Sequence, residues 1–386
     1  MRINYRELRK MYAAMERRAF CQQLRESLQK KEIDAGAFSL KEAAEEFVVD
    51  RNGEVCGREW VRLLESDSFM EAGADAVSTS MFADISGQIV YTEILDSYQN
   101  PAFIGSQLCT EVQTKFDGEK IAGINQIGDK SQIVDEGMPF PHVGVSQDYI
   151  ETPRTTKRGL IVPITKEAIF FDRTGVLLDR CREVGKSLGW NKEKQIIDMA
   201  TGTASTFETG GRYKWRGTEY AQYQTSTPWI NSVGNTLVDW TDIEVAELMF
   251  DKMTDPGTGE PILLEAKALL VPSALLYTAR RILSATEIVH EGATNATHYA
   301  SKFQNPVPSY GIVSSPLVYA RTSSASKWWF GDFKQAFQWR YNWPMTVVQA
   351  PANNQDEFNR DIVVQFKASE RGTCAVREPR AVTENT

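Results

Sequence analysis

The stretch that follows Asp172 limits the folding of this chain more than any other. Leu177, Cys181, Val184 and Leu188 fall at i, i+4, i+7 and i+11, and Ile196, Ile197 and Met199 prolong the apolar stripe. That spacing predicts a single amphipathic helix. Running unbroken to Ala200, it would be about 40 Å long at 1.5 Å per residue. Asp172 is its candidate N-cap. Gly175, Gly185 and Gly189 each cost up to ~1 kcal/mol against alanine. A helix that carries all three must be held by tertiary or intersubunit packing.

Around this element the pattern changes repeatedly. Leu8, Tyr12, Met15, Ala19, Leu24 and Leu28 read as one amphipathic helix, interrupted at Asp34-Ala35-Gly36. Ser39 then offers an N-cap, with Glu42 at capping-box spacing. Residues 1–75 are highly charged and short of large apolar side chains, so their stability must come from partners. A further helix is expected over 81–98, stopped by Asn100-Pro101, and an extended segment over 108–118. Residues 123–156 hold Gly123, Gly128, Gly137, Gly144, Pro139, Pro141 and Pro153 with few large apolar residues. Such a stretch is too long for a routine connection. Its short alternating runs predict a loose two-stranded excursion that packs on something else.

The compact apolar run 159–165 predicts a strand, and Pro163 suits an edge position. Residues 202–229 read as a loop or hairpin region and 242–253 as a helix, followed by the turn Asp255-Pro256-Gly257. A buried strand at 267–271 and a helix from 274 to about 284 repeat the logic of an α/β unit. Short strands are expected at 311–313, 317–320, 328–330, 336–339, 345–348 and 361–366. Residues from Arg377 onward look frayed.

The search for chemistry yields little. With 386 residues, the chain is long for one hydrophobic core. Its 42% hydrophobic and 24% charged content is that of an ordinary globular protein. No window offers the ~20 apolar residues of a membrane span, and the N-terminus lacks the apolar core of a secretory signal. A net charge of −8 argues against broad nucleic-acid binding and is compatible with a container for a polyanion. Cys21, Cys56, Cys109, Cys181 and Cys374 are widely spaced, which indicates reduced thiols and no zinc site. His290-Glu291 and His298 lack the spacing of a zinc helix, and His142 stands alone. There is no nucleophile elbow, Walker loop or dinucleotide fingerprint. Asp135-Glu136 and Glu45-Glu46 lie in polar stretches and read as solvated surface. Trp328, Trp329, Trp339 and Trp343, with Phe330, Phe333 and Phe337, would serve either a stacking platform or a packed core. Their sparse basic interleaving, Lys327, Lys334 and Arg340, favours the core. No catalytic, cofactor-binding or metal-binding residue is assigned, and no cofactor is expected.

Three stretches carry a resemblance over residues 82–378. The first is TKRGLIVPITKEAIFFD at 156–172, leading into TGVLLD at 174–179 and Val184-Gly185. The second is LLVPSALLYTA at 269–279. The third pairs WWFGDF at 328–333 with FNRDIVVQF at 358–366. In this order the chain resembles the major capsid proteins of tailed bacteriophages, with the Hong Kong 97-type capsid fold. The resemblance implies an α+β chain in five parts. These are a scaffold-like helical region (1–75), an N-terminal arm (76–122), an extended loop (123–158), a peripheral domain (159–234 with 344–386) and an apical domain (235–343). It also implies a structural, non-catalytic protein of the virion that assembles in the host cytoplasm. Copies would form pentamers and hexamers of an icosahedral head shell, enclosing double-stranded DNA without sequence-specific binding or membrane contact. Portal, scaffolding and decoration proteins would be its partners. Some relatives seal their shells with a Lys–Asn crosslink; Lys130 and Asn353, Asn354 or Asn359 supply the residue types, but no crosslink is predicted. Two other readings compete: an encapsulin-type nanocompartment shell, and a soluble enzyme or binding protein that uses the aromatic stretch around Trp328 and Trp343.

Overall fold

The computed structural model describes residues 5–47, 75–123, 133–140, 148–294, 297–350 and 362–386. Cys56, Lys130, His142, Asn353, Asn354 and Asn359 lie outside them, as do residues 48–74 and much of the expected 123–158 loop. In chain order the elements are α1 (Tyr5–Ala14), α2 (Arg17–Gln29), α3 (Leu40–Phe47), α4 (Asp75–Tyr98), α5 (Gly105–Leu108), β1 (Thr110–Gln113), β2 (Lys120–Ala122), β3 (Tyr149–Glu151) and β4 (Thr156–Thr165). Then come α6 (Lys166–Phe170), α7 (Thr174–Ala200), β5 (Arg212–Trp215), β6 (Thr218–Ala221), β7 (Ser232–Val233), α8 (Trp240–Asp251), β8 (Ala268–Val271) and α9 (Leu276–Ser284). The chain ends with β9 (Glu287–Thr294), β10 (Thr297–Gln304), β11 (Gly311–Ser314), α10 (Pro316–Thr322), β12 (Trp328–Gly331), α11 (Phe333–Ala336), β13 (Phe337–Gln349), β14 (Ile362–Val376) and β15 (Val382–Asn385). The class is α+β, as expected.

One compact unit takes residues 1–100, 157–191 and 343–371. In its core, Phe20, Leu24 and Leu28 of α2 and Leu40 and Ala43 of α3 join Phe82, Ile85, Ile89 and Ile94 of α4. Leu177, Leu178, Cys181 and Leu188 of α7 complete the cluster. The charged N-terminal helices therefore find apolar partners within the chain. They are two helices, not the single one expected. At 3.6 residues per turn, an unbroken helix would turn Leu24 about 160° away from Leu8. The break at Met15 and Glu16 lets both face the core and leaves Met15 exposed.

The glycines of α7 divide by role. A Cβ on Gly185 would run into the Ile94 carbonyl oxygen of α4 and lie 2.9 Å from Ser97 Cβ. Gly185 thus allows the two helices to approach closely. Gly175 has nothing within 4 Å of that position. Asp172, expected as the N-cap of α7, lies further out, at φ 46°, and accepts the Thr174 hydroxyl at 2.7 Å.

The second compact unit takes residues 101–156, 192–342 and 372–386. α7, β13 and β14 each run across one of these borders. Its five-stranded sheet has the order β11-β8-β12-β15-β7. In β12, Trp328, Trp329 and Phe330 are all fully buried. Successive side chains of a strand point to opposite faces. Trp329 accordingly packs with Ile196, Ile197, Met199, Trp229 and Phe337. Trp328 and Phe330 pack with Ile243 and Phe250 of α8 and Ala279 and Ile282 of α9. The hairpin expected over 202–229 is β5–β6, within the sheet β2-β3-β5-β6. β4 is an edge strand of the sheet β1-β13-β14-β4, where Pro163 is accommodated.

Several expectations need correction. Residues 317–320 belong to a helix, α10: the Ser315 hydroxyl accepts from the Leu317 N–H and Pro316 occupies the first turn, a start signal that outweighs the apolar, strand-like look of the run. The strands expected at 336–339 and 345–348 are one strand, β13. The tail after Arg377 is ordered: β15 is paired between β12 and β7, and Val382, Thr383 and Asn385 are fully buried.

Replacing Gly185 by alanine is expected to lower stability by more than ~2 kcal/mol in chemical denaturation, despite alanine's better helix propensity. Gly175→Ala should be neutral or stabilising by up to ~1 kcal/mol. Equal effects at the two sites would contradict the packing role of Gly185.

Candidate assembly surfaces

The described residues singled out for chemistry lie on different elements of the fold. His290 and His298 stand on paired strands, opposite Ser301 and Ala293 respectively, three rungs apart. No group of three His, Cys, Asp or Glu is placed to hold a metal among the described residues. Asp135 and Glu136 are exposed, and Glu45 and Glu46 lie half-buried on α3. The aromatic stretch is core: Trp328, Trp329, Phe330, Phe333, Phe337 and Trp339 are buried. Trp343, half-buried, has the Arg371 guanidinium 5.6 Å from its ring centroid. Burial pushes the Cys109 and Cys181 thiols up to about 12, so both stay protonated and unreactive.

Buried charges serve the architecture. Arg380 forms a two-pronged pair with Glu378, at 2.7 and 2.8 Å, and reaches Asp255 at 3.2 Å. Asp255 also caps its own turn through the Thr258 N–H and hydroxyl. The turn at 255–259 is thereby tied to the tail that leads into β15. Losing one member would strand a buried charge, at a cost of about 3–5 kcal/mol. Glu193 of α7 makes a second clasp: its carboxylate accepts the Ile104 N–H at 2.7 Å and the Gly105 N–H at 2.9 Å. Those donors open α5, where no preceding turn could satisfy them. Burial pushes the Glu193 carboxyl up, against the pull of the two backbone donors and of Lys192.

What the chain leaves to solvent is more informative. In the first unit, Leu160 and Ile161 of the edge strand β4 are exposed, as are Phe170, Phe171 and Val176 where α6 leads into α7. Phe170 and Phe171 meet edge to face, with centroids 5.1 Å apart. In the second unit, Val245 and Leu248 stand one turn apart on the outer face of α8. Nearby, Arg281 of α9 donates to the exposed Val238 carbonyl, and Tyr277, one turn before Arg281, is 76% exposed. Single exposed apolar residues are ordinary, but grouped ones mark interaction surfaces. An edge strand also offers unpaired backbone groups to a neighbour.

Two cavities lie in the second unit. One of about 350 Å³ lies by Trp229, Met249 and Met253, with Lys252 as its one ionisable side chain. The other, about 380 Å³, contains Arg212, Lys327 and Glu384, and the last two are paired at 2.9 Å.

Residues 149–385 match the model of a family described as phage capsid protein. The chain belongs to the phage capsid protein family. Among solved structures, this capsid protein is similar to the capsid of a native GTA particle, at 11% identity and a TM-score of 0.44, covering 74% of this chain and 90% of that one. It is also similar to the capsid of the cyanophage P-SCSP1u, at 12% identity and 0.44, covering 74% and 88%. Gordonia phage Cozz gives 13% and 0.41, covering 73% and 85%. These likenesses are distant, and the assignment rests on the family match. No curated protein matches the chain. The family favours the phage reading over the encapsulin-type shell. Sequence reasoning missed Glu193 and Arg380 in this capsid protein, because neither residue carries a local signal; only the fold supplies their partners.

The raised carboxyl of Glu193 means that the native state keeps this proton to higher pH than the unfolded chain does. Its contribution to stability therefore falls as pH rises from the unfolded value, roughly 4.3, through the folded one. Glu193→Gln should flatten that part of the stability profile, and Glu193→Ala should cost about 2–3 kcal/mol by orphaning the two N–H groups. Identical pH profiles for wild type and Glu193→Gln in urea titrations would contradict this assignment.

Proposed function

We propose that this protein is the major capsid protein of a tailed bacteriophage, whose copies close into an icosahedral head shell around double-stranded DNA. Its role is structural and non-catalytic. Pentamers and hexamers form the shell, assembled in the host cytoplasm with portal and scaffolding or decoration proteins. In this reading residues 235–343, with the outer faces of α8 and α9, are the apical domain that meets its copies around each ring. Residues 159–234 and 344–386 are the peripheral domain, 76–122 the arm, 123–158 the loop that reaches over a neighbour, and 1–75 the scaffold-like region.

The observation that carries the reading is grouped apolar exposure on regular elements, at Val245 and Leu248 of α8 and at Leu160 and Ile161 of β4. Such faces suit repeated contacts between identical chains. Each contact can be weak while the closed shell is stable, because many engage together.

Negative-stain microscopy of the purified full-length protein should show shells. The double substitution Val245→Glu and Leu248→Glu lies on an exposed face, so it should leave the melting temperature within about 3 °C of wild type while reducing particle yield at least tenfold. A wild-type chain that stays monomeric under assembly conditions would sink the shell reading. Shells that carry protein cargo and no nucleic acid would favour the nanocompartment.

A further inference from the structure

The net charge of −8 hides a sharp segregation. The segment from Tyr5 to Lys31 holds eight of the 43 lysines and arginines but only three of the 51 aspartates and glutamates. This basic segment consists of α1 and α2 with the residues just after them, inside an otherwise acidic chain. Both helices bury their apolar side, through Leu8 on α1 and through Phe20, Leu24 and Leu28 on α2. The charged side faces outward: Arg6, Lys10, Arg18, Lys30 and Lys31 are exposed.

Most of these cations carry no ion pair among the described residues. The ion pair described for this segment is Arg17 with Asp84, at 2.6 Å. Arg6, Lys10, Arg18, Lys30 and Lys31 have no acidic partner among the described residues. On α2, Arg18, Gln22, Arg25 and Gln29 recur at i, i+4, i+7 and i+11, so they form one stripe of hydrogen-bond donors. The stripe lines an open groove of about 630 Å³ together with Arg17 and Glu26. Arg25 is held in place by Gln88, at 3.1 Å, and by the Tyr91 ring, at 4.3 Å. Arginine's planar fork matches phosphate oxygens, and amide donors add to it.

We infer that α1 and α2 present a binding surface for the phosphate backbone of nucleic acid, without sequence preference. It rests on the shell reading only in identifying that nucleic acid as the enclosed DNA. A polyanion is attracted to this one surface and repelled by the acidic remainder of the chain. The contact is then local, driven by counterion release and weakened by salt. A surface of this kind lines a container without gripping its contents along the whole wall.

The test uses unassembled full-length protein and a fluorescent random-sequence duplex of about 30 base pairs, titrated between about 50 and 200 mM salt. The variant carries Arg6→Gln, Lys10→Gln, Arg18→Gln and Lys30→Gln, all at exposed positions. Wild type should bind, with log K falling linearly in log salt. The variant should bind at least tenfold more weakly, with a slope shallower by about 3.6, as expected for four lost phosphate contacts at 0.9 each. A milder variant, Arg18→Gln with Lys30→Gln, should fall between the two and serves if the fourfold variant does not fold. Absence of binding by wild type, or equal affinity and slope in the variants, would overturn the inference. So would competition by polyglutamate as effective as duplex at equal charge, which would assign the surface to an acidic protein segment. Particle formation by the same samples separates the two readings. Shells without duplex binding leave the shell standing and remove this surface, and duplex binding by a chain that never assembles does the reverse.

Discussion

Strand β12 presents Trp328, Trp329 and Phe330 to both faces of its sheet, and all three are fully buried. Large aromatics are the costliest side chains to leave in water, so both faces must be covered. α8 and α9 cover the face with Trp328 and Phe330, while the end of α7 and the residues around Trp229 and Phe337 cover the face with Trp329. The edge of β12 must be satisfied too, which gives the C-terminal strand β15 its place: Trp329 pairs with Glu384 and Phe330 with Thr383. Arg380, clamped by Glu378 and Asp255, sets the path of the chain into that strand.

These cores occupy the inward sides of the helices and strands, while some apolar residues of the same elements face out. In α8, Ile243, Ala246 and Phe250 turn inward while Val245 and Leu248 turn outward. A helix apolar on two sides is satisfied only when a second surface meets it. The edge strand β4 poses the same demand, with Val162 and Ile164 buried and Leu160 and Ile161 exposed. In the shell we propose, that second surface is another copy of the chain.

Much of this was legible in the sequence where periodicity is strong. The stripe Leu177, Cys181, Val184 and Leu188 marks α7, and the apolar runs at 267–271 and 328–330 mark β8 and β12 within a residue or so. Legibility failed where tertiary contacts outweigh local pattern. The polar sequence Val382-Thr383-Glu384-Asn385 has no apolar alternation, and its burial depends on strand pairing and on Arg380. Residues 317–320 look β-prone, yet the Ser315-Pro316 start makes them helical. A glutamate in an amphipathic helix gives no hint that Glu193 caps α5 from the side. The charge segregation of the N-terminal helices was visible in principle but disappears when charge is summed over the chain.

The central claim is that the exposed apolar faces are completed by identical copies, and backbone hydrogen exchange compares the two states most directly. Amides of α8, of β4 around Leu160 and Ile161, and of the segment around Phe170 and Phe171 should exchange at least tenfold more slowly in assembled particles than in free subunits. Particles in which these segments exchange as fast as in the free subunit would contradict the account.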